Sequence, residues 1–348
     1  MTELQRLRNL EVPTGNIDCV LDTDTYNEID DQYALSLMIK SPKLNLRAIY
    51  AAPFFNTHST SPEDGMERSY DEILKLLTLM GKEDRKADVF KGSRTYLPDE
   101  KTPVDSPAAR HLCELAMTYS VEKPLYVVAI GAITNVASAL LLEPRIADRI
   151  VLVWLGGHFD TWPDTREFNL FQDVAGARVV FGCGCPLVQL PCMGVVSSFY
   201  VTGPELRTWL SGKNALCDYL VSHTVEEAES YAAGQVWSRV IWDVTAAAWL
   251  LNDGGRFMLS RLIPAPVPEY DGHWGQAPYN HFIRQVTWAI ENVRKRLQRS
   301  MPVSLRKYYK RSRKLILTRY KKLKDENKQA CDLMLHYSED LRLAHRMK

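Results

Sequence analysis

The amino-acid sequence predicts an α/β fold with a mostly parallel central sheet flanked by helices. Two observations lead to this prediction. Short apolar runs alternate with longer amphipathic patterns over most of the 348 residues, as strands and helices do in such folds. Polar residues follow several of the apolar runs directly, and ligands bind beyond the carboxyl ends of parallel strands. The hydrophobic fraction of 46% is sufficient for a sizeable core.

The first half of the chain contains four predicted strands. Residues 18–21 and 46–52 are short apolar runs, and "LYVVAI" (125–130) and "IVLVWL" (150–155) are continuous apolar runs typical of buried strands. Amphipathic patterns between them predict helices, which end near a proline or glycine as helices commonly do. These predicted helices span residues 32–39, 70–80 and 135–142.

The second half continues the alternation. A helix is predicted at 174–181 and a strand at 187–190, before Pro191. Two further helices are predicted at 217–233 and 243–251. Residues 254–275 contain several prolines and are predicted to form a loop region that borders either a lid or an entrance.

The charge distribution divides the chain into two parts. Residues 294–348 contain 18 Lys/Arg and 5 Asp/Glu, whereas residues 1–293 contain 25 basic and 37 acidic residues. We therefore predict an α/β domain at 14–293 and a basic helical extension at 294–348. Apolar residues recur between Leu305 and Leu323 at helical spacing. This stripe is expected either to pack on the body or on a second subunit, or to contact nucleic acid or an acidic membrane surface.

Cellular location is inferred from three features of the sequence. No apolar run is long enough for a transmembrane segment, and the first residues lack the apolar core of a signal peptide. The seven cysteines are odd in number and mostly in apolar surroundings, which favours reduced thiols. Cys183, Cys185 and Cys192 lack the usual spacing of a zinc site. We expect a cytoplasmic protein.

The stretch "VLDTDTYNEIDDQYAL" (20–35) concentrates five acidic residues between two apolar segments. Asp30 and Asp31 precede a helical pattern, so helix capping accounts for one or two of them. Capping does not account for Asp22 and Asp24, which lie on the same side of an extended chain. Clustered carboxylates repel one another unless a cation is present, and oxygen ligands favour Ca²⁺, with Mg²⁺ the weaker alternative.

A phosphatase is a rival interpretation of the same stretch. Haloacid-dehalogenase-like enzymes also begin with Asp-x-Asp after a strand, but their pattern has Thr or Val where this chain has Tyr26. Their later Gly-Asp-x-x-x-Asp pair has no match in "GGHFD" (156–160). The metal interpretation is therefore favoured.

Four stretches in order resemble the inosine/uridine-preferring nucleoside hydrolase family, which has a Rossmann-like core. They are the Asp-rich stretch, "AIGAITNVASALLLEPRI" (129–146), "LGG" (155–157) with "EFN" (167–169), and "IWDVTAAAWLL" (241–251). The turn inside the first stretch, "TYNEI" (25–29), is two residues longer than the family's Pro-Gly type of turn. The resemblance covers residues 15 to 255 and implies a Ca²⁺-dependent enzyme that hydrolyses N-glycosidic bonds of ribonucleosides.

The resemblance also implies the metal ligands. Asp24, Asp31 and Asp243 would bind Ca²⁺ together with a main-chain carbonyl near Thr134. Asp24 would in addition act as general base on the attacking water. Asp22 would orient these ligands from behind.

Further roles are implied for the substrate. Asp30 would hydrogen-bond the ribose hydroxyls, and Asn56 would lie near the nucleophilic water. Glu167 and Asn169 would hold the 5′- and 3′-hydroxyls. These roles agree with the chemistry, since anions stabilise an oxocarbenium-like transition state and a carboxylate can take a proton from water.

The sequence departs from the family where the leaving group is expected. Trp242 stands in the position of a histidine thought to protonate the departing base, and it is expected either to stack on that base or to pack in the core. Replacements for the histidine are sought among His58, His158, Tyr231 and Arg239, each of which has a structural interpretation too. An asparagine before "EFN" is also replaced, with Asp160 or Asp164 nearby.

The sequence therefore predicts a cytoplasmic N-ribohydrolase of nucleoside salvage that acts on a small nucleoside or related N-riboside as a homo-oligomer. The alternative is a ribose-binding or regulatory protein that has lost leaving-group chemistry. A third interpretation is a nucleic-acid-associated protein that uses the basic extension. Preference for a particular base does not follow from the motifs.

Overall fold

The computed structural model describes residues 1–255, 258–275 and 281–289. In this part of the chain the strands are β1 Ile17–Thr23, β2 Leu44–Ala51, β3 Val89–Lys91, β4 Leu125–Ala129, β5 Ile150–Leu155, β6 Leu187–Leu190, β7 Tyr200–Thr202, β8 Ser238–Val240, β9 Met258–Pro264, β10 Val267–Pro268, β11 Trp274–Gly275 and β12 Phe282–Ala289. The α-helices are α1 Glu3–Asn9, α2 Asp30–Lys40, α3 Pro62–Leu79, α4 Pro107–Ala116, α5 Thr134–Leu142, α6 Phe168–Gln172, α7 Val174–Gly182, α8 Gly203–Trp209, α9 Ala215–Ala232 and α10 Val244–Leu250.

Eight of these strands form one sheet in the order β3-β2-β1-β4-β5-β6-β12-β9. Every neighbouring pair is parallel except β12 and β9, which run antiparallel. The predicted α/β class with a mostly parallel sheet is therefore confirmed. Two short ribbons, β7-β8 and β10-β11, lie outside this sheet.

The central strands are buried on both faces, which explains their continuous apolar runs. Successive residues alternate between two apolar clusters, so that Leu21 and Val128 belong to one cluster and Val20 and Val127 to the other. All six residues of β5 are buried. The carboxyl ends of the parallel strands β1, β2, β4, β5 and β6 thus lie along one edge of the sheet.

The structure differs from the predicted elements at several places, of which three bear on the body of the fold. Helix α1 precedes the predicted domain start at residue 14, and Leu7 within it and Leu10 directly after it pack into the core. Strand β9 lies inside the predicted loop 254–275 because β12 pairs with it from further along the chain. Helix α4, which the sequence analysis did not predict, is capped by the hydroxyl of Ser106. The predicted extension at 294–348 lies outside the described residues.

No helix in the described ranges is both long and apolar enough to cross a membrane.

Candidate active site

The acidic stretch joins the end of β1 to the start of α2. Asp22 is the penultimate residue of β1 and Asp24 follows that strand, whereas Asp30 and Asp31 form the first turn of α2. All four side chains are at most 1% exposed. The N-cap of α2 is Ile29, which makes no capping bond, so neither Asp30 nor Asp31 serves as an N-cap.

Three carboxyl groups from distant segments form a cluster. One oxygen atom each of Asp30, Asp31 and Asp243 lies within 4.8 Å of the other two. Asp243 directly precedes α10, and its backbone N–H donates a hydrogen bond of 3.1 Å to Asp30 Oδ2. The Thr23 hydroxyl donates a short hydrogen bond to Asp31. The structure thus brings Asp31 and Asp243 together and adds Asp30, to which the sequence analysis had given a ribose contact.

Asp24 is the acidic residue with the fewest partners in this region. Neither of its carboxylate oxygens has a hydrogen-bond partner within the described ranges, and both are buried. A Cβ atom added at Gly131, two residues after β4, would lie 3.0 Å from Asp24 Oδ1, so a side chain at this position would crowd the Asp24 carboxylate. A buried carboxylate without a partner is costly, and it therefore indicates an additional ligand at this place.

Burial and mutual repulsion raise the pKa of each carboxyl group in this region. Burial raises the pKa of Asp24 well above its ordinary value, and the charge of Asp31 raises it further. Burial and the charge of Asp30 do the same to the pKa of Asp31 and of Asp243. Burial, followed by the charge of Glu28, raises the pKa of Asp30 to about 7. A bound divalent cation would remove this conflict.

Asp22 is held from behind by Asn135. The Asn135 amide nitrogen donates to Asp22 Oδ1 at 2.7 Å and to the carbonyl oxygen of Ala51 at 3.2 Å, and its amide oxygen accepts from the Ser93 N–H at 2.7 Å. The neighbouring Thr134 begins α5. Its hydroxyl donates a 2.5 Å hydrogen bond to Asp173 Oδ2, while the resemblance assigned a ligand role to a nearby carbonyl.

A cavity of about 180 Å³ lies beside the carboxyl cluster, and we call it the smaller cavity. It opens at the carboxyl ends of the parallel strands, where the fold class predicts a ligand site. Its lining includes Asp30, His158, Glu167, Asn169, Trp242 and Asp243.

Glu167 and Asn169 are fixed by backbone groups around this cavity. The Glu167 carboxylate accepts three backbone N–H bonds, two from the first turn of α6 and one of 2.8 Å from Gly157. Burial raises the pKa of Glu167 to about 7, although these hydrogen bonds oppose the shift. The Asn169 amide nitrogen donates to the carbonyl oxygens of Ile130 at 3.0 Å and Leu155 at 3.1 Å. The amide oxygen of Asn169 is therefore the group left for a ligand.

A larger cavity of about 520 Å³ adjoins the smaller one. It is lined by the lengthened turn 25–29, the loop 57–60, and residues of α3 and α9, and the two cavities share Asn27 and Glu28. The lengthened turn, whose role the sequence left open, therefore stands between them.

The boundary between the cavities is a group of charged and aromatic side chains that we call the wall: Glu28, Glu227, Arg239 and Trp242. An Arg239 Nη2 atom lies 2.7 Å from Glu28 Oε2 and 2.8 Å from Glu227 Oε1. The Arg239 guanidinium carbon also lies 5.2 Å from the centre of the Trp242 ring, within the range of a cation–π contact. The wall thus places one guanidinium between two carboxylates.

Asn56 and His58 brace the lengthened turn rather than line the smaller cavity. The Asn56 amide nitrogen donates to Asn27 Oδ1 at 2.6 Å, and its amide oxygen accepts from the His58 N–H at 2.8 Å. His58 Nδ1 lies 2.8 Å from the Asn27 carbonyl oxygen. His58 lines the larger cavity.

The remaining leaving-group candidates lie in different places. His158 lines the smaller cavity and is 8% exposed. Arg239 stands in the wall. Tyr231 is 57% exposed and lines neither cavity. Asp160 pairs with Arg261 at 2.6 Å.

Asn27, Glu28 and Glu227 are the site residues for which the sequence analysis found no role. The excess length of the turn was the available signal for the first two. Glu227 lies in the middle of α9, where acidic residues are common, so no local pattern distinguishes it.

Fold and site together define an α/β protein with a buried carboxyl cluster beside a small cavity, an arrangement suited to metal-dependent hydrolysis. The profile of the family described as "Inosine-uridine preferring nucleoside hydrolase" matches residues 19–334, and the chain belongs to this family. The predicted resemblance is thereby confirmed. The matched range runs past residue 293 into the predicted extension.

Named relatives of the chain include two pyrimidine-specific ribonucleoside hydrolases called RihA. The protein from Escherichia coli O81 (strain ED1a) is 28% identical over 188 residues, which cover 46% of this chain and 56% of the relative. The protein from Enterobacter sp. (strain 638) is 29% identical over 193 residues, which cover 49% and 58%. The chain thus spans somewhat over half the length of these curated relatives.

Solved structures share the fold. A purine-preferring ribonucleoside hydrolase from Gardnerella vaginalis superposes with a TM-score of 0.62 at 21% identity, covering 80% of this chain and 95% of the other. A plant nucleoside hydrolase gives a TM-score of 0.62 at 19% identity, covering 80% and 96%.

Proposed function

We propose that the protein hydrolyses the N-glycosidic bond of a ribonucleoside or related N-riboside, releasing ribose and a free base, and that it depends on Ca²⁺. The observation that carries the proposal is the position of Asp24. Its two carboxylate oxygens are buried and unpartnered beside the carboxyl cluster. A bound cation and a water molecule at this place would explain both.

The donor set fits a hard divalent cation. Asp24, Asp31 and Asp243 would hold it with Asp30 alongside, and all are oxygen donors, which Ca²⁺ and Mg²⁺ prefer over the softer metals. We favour Ca²⁺ because it tolerates irregular carboxylate-rich coordination. When bound, such an ion would supply positive charge that binds a cis-diol and acidifies water.

The chain's own residues would perform the remaining steps. Asp24 would take a proton from the attacking water, since a buried carboxylate with a raised pKa is a suitable general base near neutral pH. Asp30 and the free amide oxygen of Asn169 would bind ribose hydroxyls. Glu167 would chiefly hold the start of α6 against Gly157, and Asp22 would keep its neighbours in place through Asn135.

Support for the substrate class comes from the relatives. The two named relatives act on pyrimidine ribonucleosides and the Gardnerella protein prefers purine ribonucleosides, so ribose is the part they have in common. The proposal includes a single catalytic domain at 14–293, a cytoplasmic location, a role in salvage and a homo-oligomeric state. The extension at 294–348 would contact a partner.

The direct test is ribose release from a panel of ribonucleosides by the purified full chain, with and without Ca²⁺. We expect release that requires Ca²⁺ and that Mg²⁺ supports less well. No release from any riboside, while calorimetry shows bound Ca²⁺, would contradict the hydrolase proposal. If ribose then still raised the melting temperature, the ribose-binding alternative would be favoured.

A further inference from the structure

The chemistry of the leaving group determines whether the site must supply a proton. When an N-glycosidic bond breaks, its electron pair stays on the ring nitrogen. A neutral nucleobase must therefore gain a proton, and general acids accelerate such steps by about 10²–10⁴-fold. A ring that is already cationic in the substrate, such as a pyridinium, becomes neutral and needs no proton. The proton donors around the smaller cavity thus bear on which ring is released.

His158 is the lining residue of the type most often used as a general acid. Its Nδ1 accepts a 3.3 Å hydrogen bond from the backbone N–H of Met193, so the proton of the neutral ring is on Nε2. That atom lies 3.9 Å from Asp164 Oδ1. Burial lowers the pKa of His158, although the charge of Asp164 opposes the shift, so burial disfavours the protonated ring that a general acid requires.

The carboxyl groups of the lining already have other partners. Asp30 and Asp243 belong to the carboxyl cluster. Both oxygens of Glu167 accept backbone N–H bonds, and these bonds favour its ionised form. Glu28 is paired with Arg239 at 2.7 Å.

The other polar groups near the boundary do not release protons at neutral pH. The Trp242 indole N–H is buried and has no acceptor within the described ranges, and an indole acts as a donor only. Burial raises the pKa of the Cys192 thiol. The Arg239 guanidinium lies between Glu28 and Glu227 and stays protonated.

The same surroundings favour a cationic ring. Glu28 and Glu167 line the cavity outside the carboxyl cluster, and the one arginine among the lining residues, Arg166, is exposed. Trp242 adds an aromatic ring to the same lining, and indole binds cations over its face. The contact that Arg239 already makes with this ring is of that type.

We propose that the smaller cavity accepts an N-riboside with a cationic aromatic leaving group, a pyridinium riboside, in preference to a neutral nucleoside. This inference rests on the proposed ribohydrolase function and adds the class of leaving group. Water adds its oxygen to C1′, the C1′–N bond breaks, and the electron pair neutralises the pyridinium nitrogen. One proton of the water passes to a carboxylate and then to solvent, whereas hydrolysis of a neutral nucleoside releases no net proton.

The experiment compares four substrates with the full chain in Ca²⁺: nicotinamide riboside, uridine, inosine and 4-nitrophenyl β-D-ribofuranoside. The last has a leaving group that departs without a proton, so it reports the ribohydrolase function alone. Ribose is quantified, and proton release is followed with an indicator in weak buffer. We expect kcat/KM for nicotinamide riboside to exceed that for uridine and inosine by at least about 100-fold, with one proton per ribose.

Each other outcome has a distinct meaning. Uridine or inosine cleaved as well as nicotinamide riboside would overturn the inference. So would cleavage of the nitrophenyl riboside without cleavage of nicotinamide riboside, although the proposed function would then stand. Cleavage of none of the four would reject the proposed function and the inference together.

Variants at Trp242 test the recognition of the ring. Trp242→Leu should raise KM for nicotinamide riboside about 10-fold, and by more than it raises KM for the uncharged nitrophenyl riboside, whereas Trp242→Phe should keep most of the affinity. Trp209→Leu, at a residue that is 73% exposed, is the control. Because Trp242 also packs against the core, melting temperatures are measured for all variants. An unchanged KM for nicotinamide riboside in a folded Trp242→Leu protein would contradict the cation–π contact.

Discussion

We call Asp24, Asp31 and Asp243 the floor of the smaller cavity. The floor and the wall both contain acidic residues, but only the wall also contains a basic side chain. In the floor, Asp24, Asp31 and Asp243 are buried beside one another, and each pKa is raised by burial and by neighbouring carboxylates. In the wall, Glu28 and Glu227 both contact the guanidinium of Arg239. The floor is thus built for an added cation, whereas the wall is complete without one. We therefore expect the floor to control whether hydrolysis occurs and the wall to control which ring leaves.

The largest effect is expected from Asp24→Asn. The amide keeps the shape of the side chain but cannot take a proton, so kcat should fall by about 10²–10⁴-fold. Asp18→Asn, on the same strand but hydrogen-bonded to Asn45, is the matched control and should retain activity. Ribose release from the preferred substrate is the measurement. A rate within a few-fold of the wild type would exclude Asp24 as the general base.

Without the metal, the buried acidic residues should make the stability of the protein depend on pH. Burial raises the pKa of Asp22 and Asp30 to about 7, above the ordinary value of about 4. Between these values the unfolded chain ionises while the folded chain keeps its protons, so the free energy of unfolding decreases as pH rises from about 4 to about 7. We expect the melting temperature in a chelator to fall over this interval.

Added Ca²⁺ should weaken that pH dependence and raise stability, by about 2.7 kcal/mol at one hundred times its dissociation constant. Asp31→Asn provides the comparison, because it removes one charge from the floor. It should raise the melting temperature in chelator and reduce the shift caused by Ca²⁺. A wild-type protein whose melting temperature does not respond to Ca²⁺ would show that the floor binds no such ion.

A smaller effect is expected from Glu28→Gln in the wall. Arg239 would keep Glu227 as its partner but lose its tie to the lengthened turn. We expect kcat/KM for different leaving groups to change by up to about 10-fold, with a smaller change in Ca²⁺ affinity, because Glu28 acts on the carboxyl cluster through its charge alone. Glu226→Gln, one residue before Glu227 and outside the ion pair, is the control. Loss of Ca²⁺ binding in Glu28→Gln would contradict the separation between floor and wall.

The smallest effect is expected from Tyr231→Phe. This residue was one of four sequence candidates for activating the leaving group, but its side chain is 57% exposed and lines neither cavity. Removal of its hydroxyl should leave kcat/KM within about twofold, as is usual for surface substitutions. A larger loss would mean that α9 approaches the substrate more closely during the reaction.

The same contrast separates what the sequence could predict from what it could not. Most of the floor was accessible because it is local, since Asp24 and Asp31 lie within one short acidic stretch beside a strand that is apolar on both faces. Asp243 is 213 positions from Asp30 and was reached only through the family resemblance. The wall could not be predicted, because Glu28 and Arg239 are 211 positions apart. The sequence around one of them gives no indication of the other. The strands were predicted where an apolar run was continuous, as in β5. Strand β9 was missed because its pairing depends on β12 rather than on its own residues.

The position of β12 has a consequence for the order in which the protein is made. This strand lies between β6 and β9 in the sheet, although it is the last strand of the described chain. A nascent chain that ends before residue 282 would leave the edge of β6 unpaired and β9 without its neighbour in the sheet. Open strand edges invite aggregation. The nascent chain is therefore expected to be prone to aggregation until β12 has been synthesised. For the same reason, a C-terminal truncation that removes part of β12 should be more harmful than its distance from Asp24 suggests.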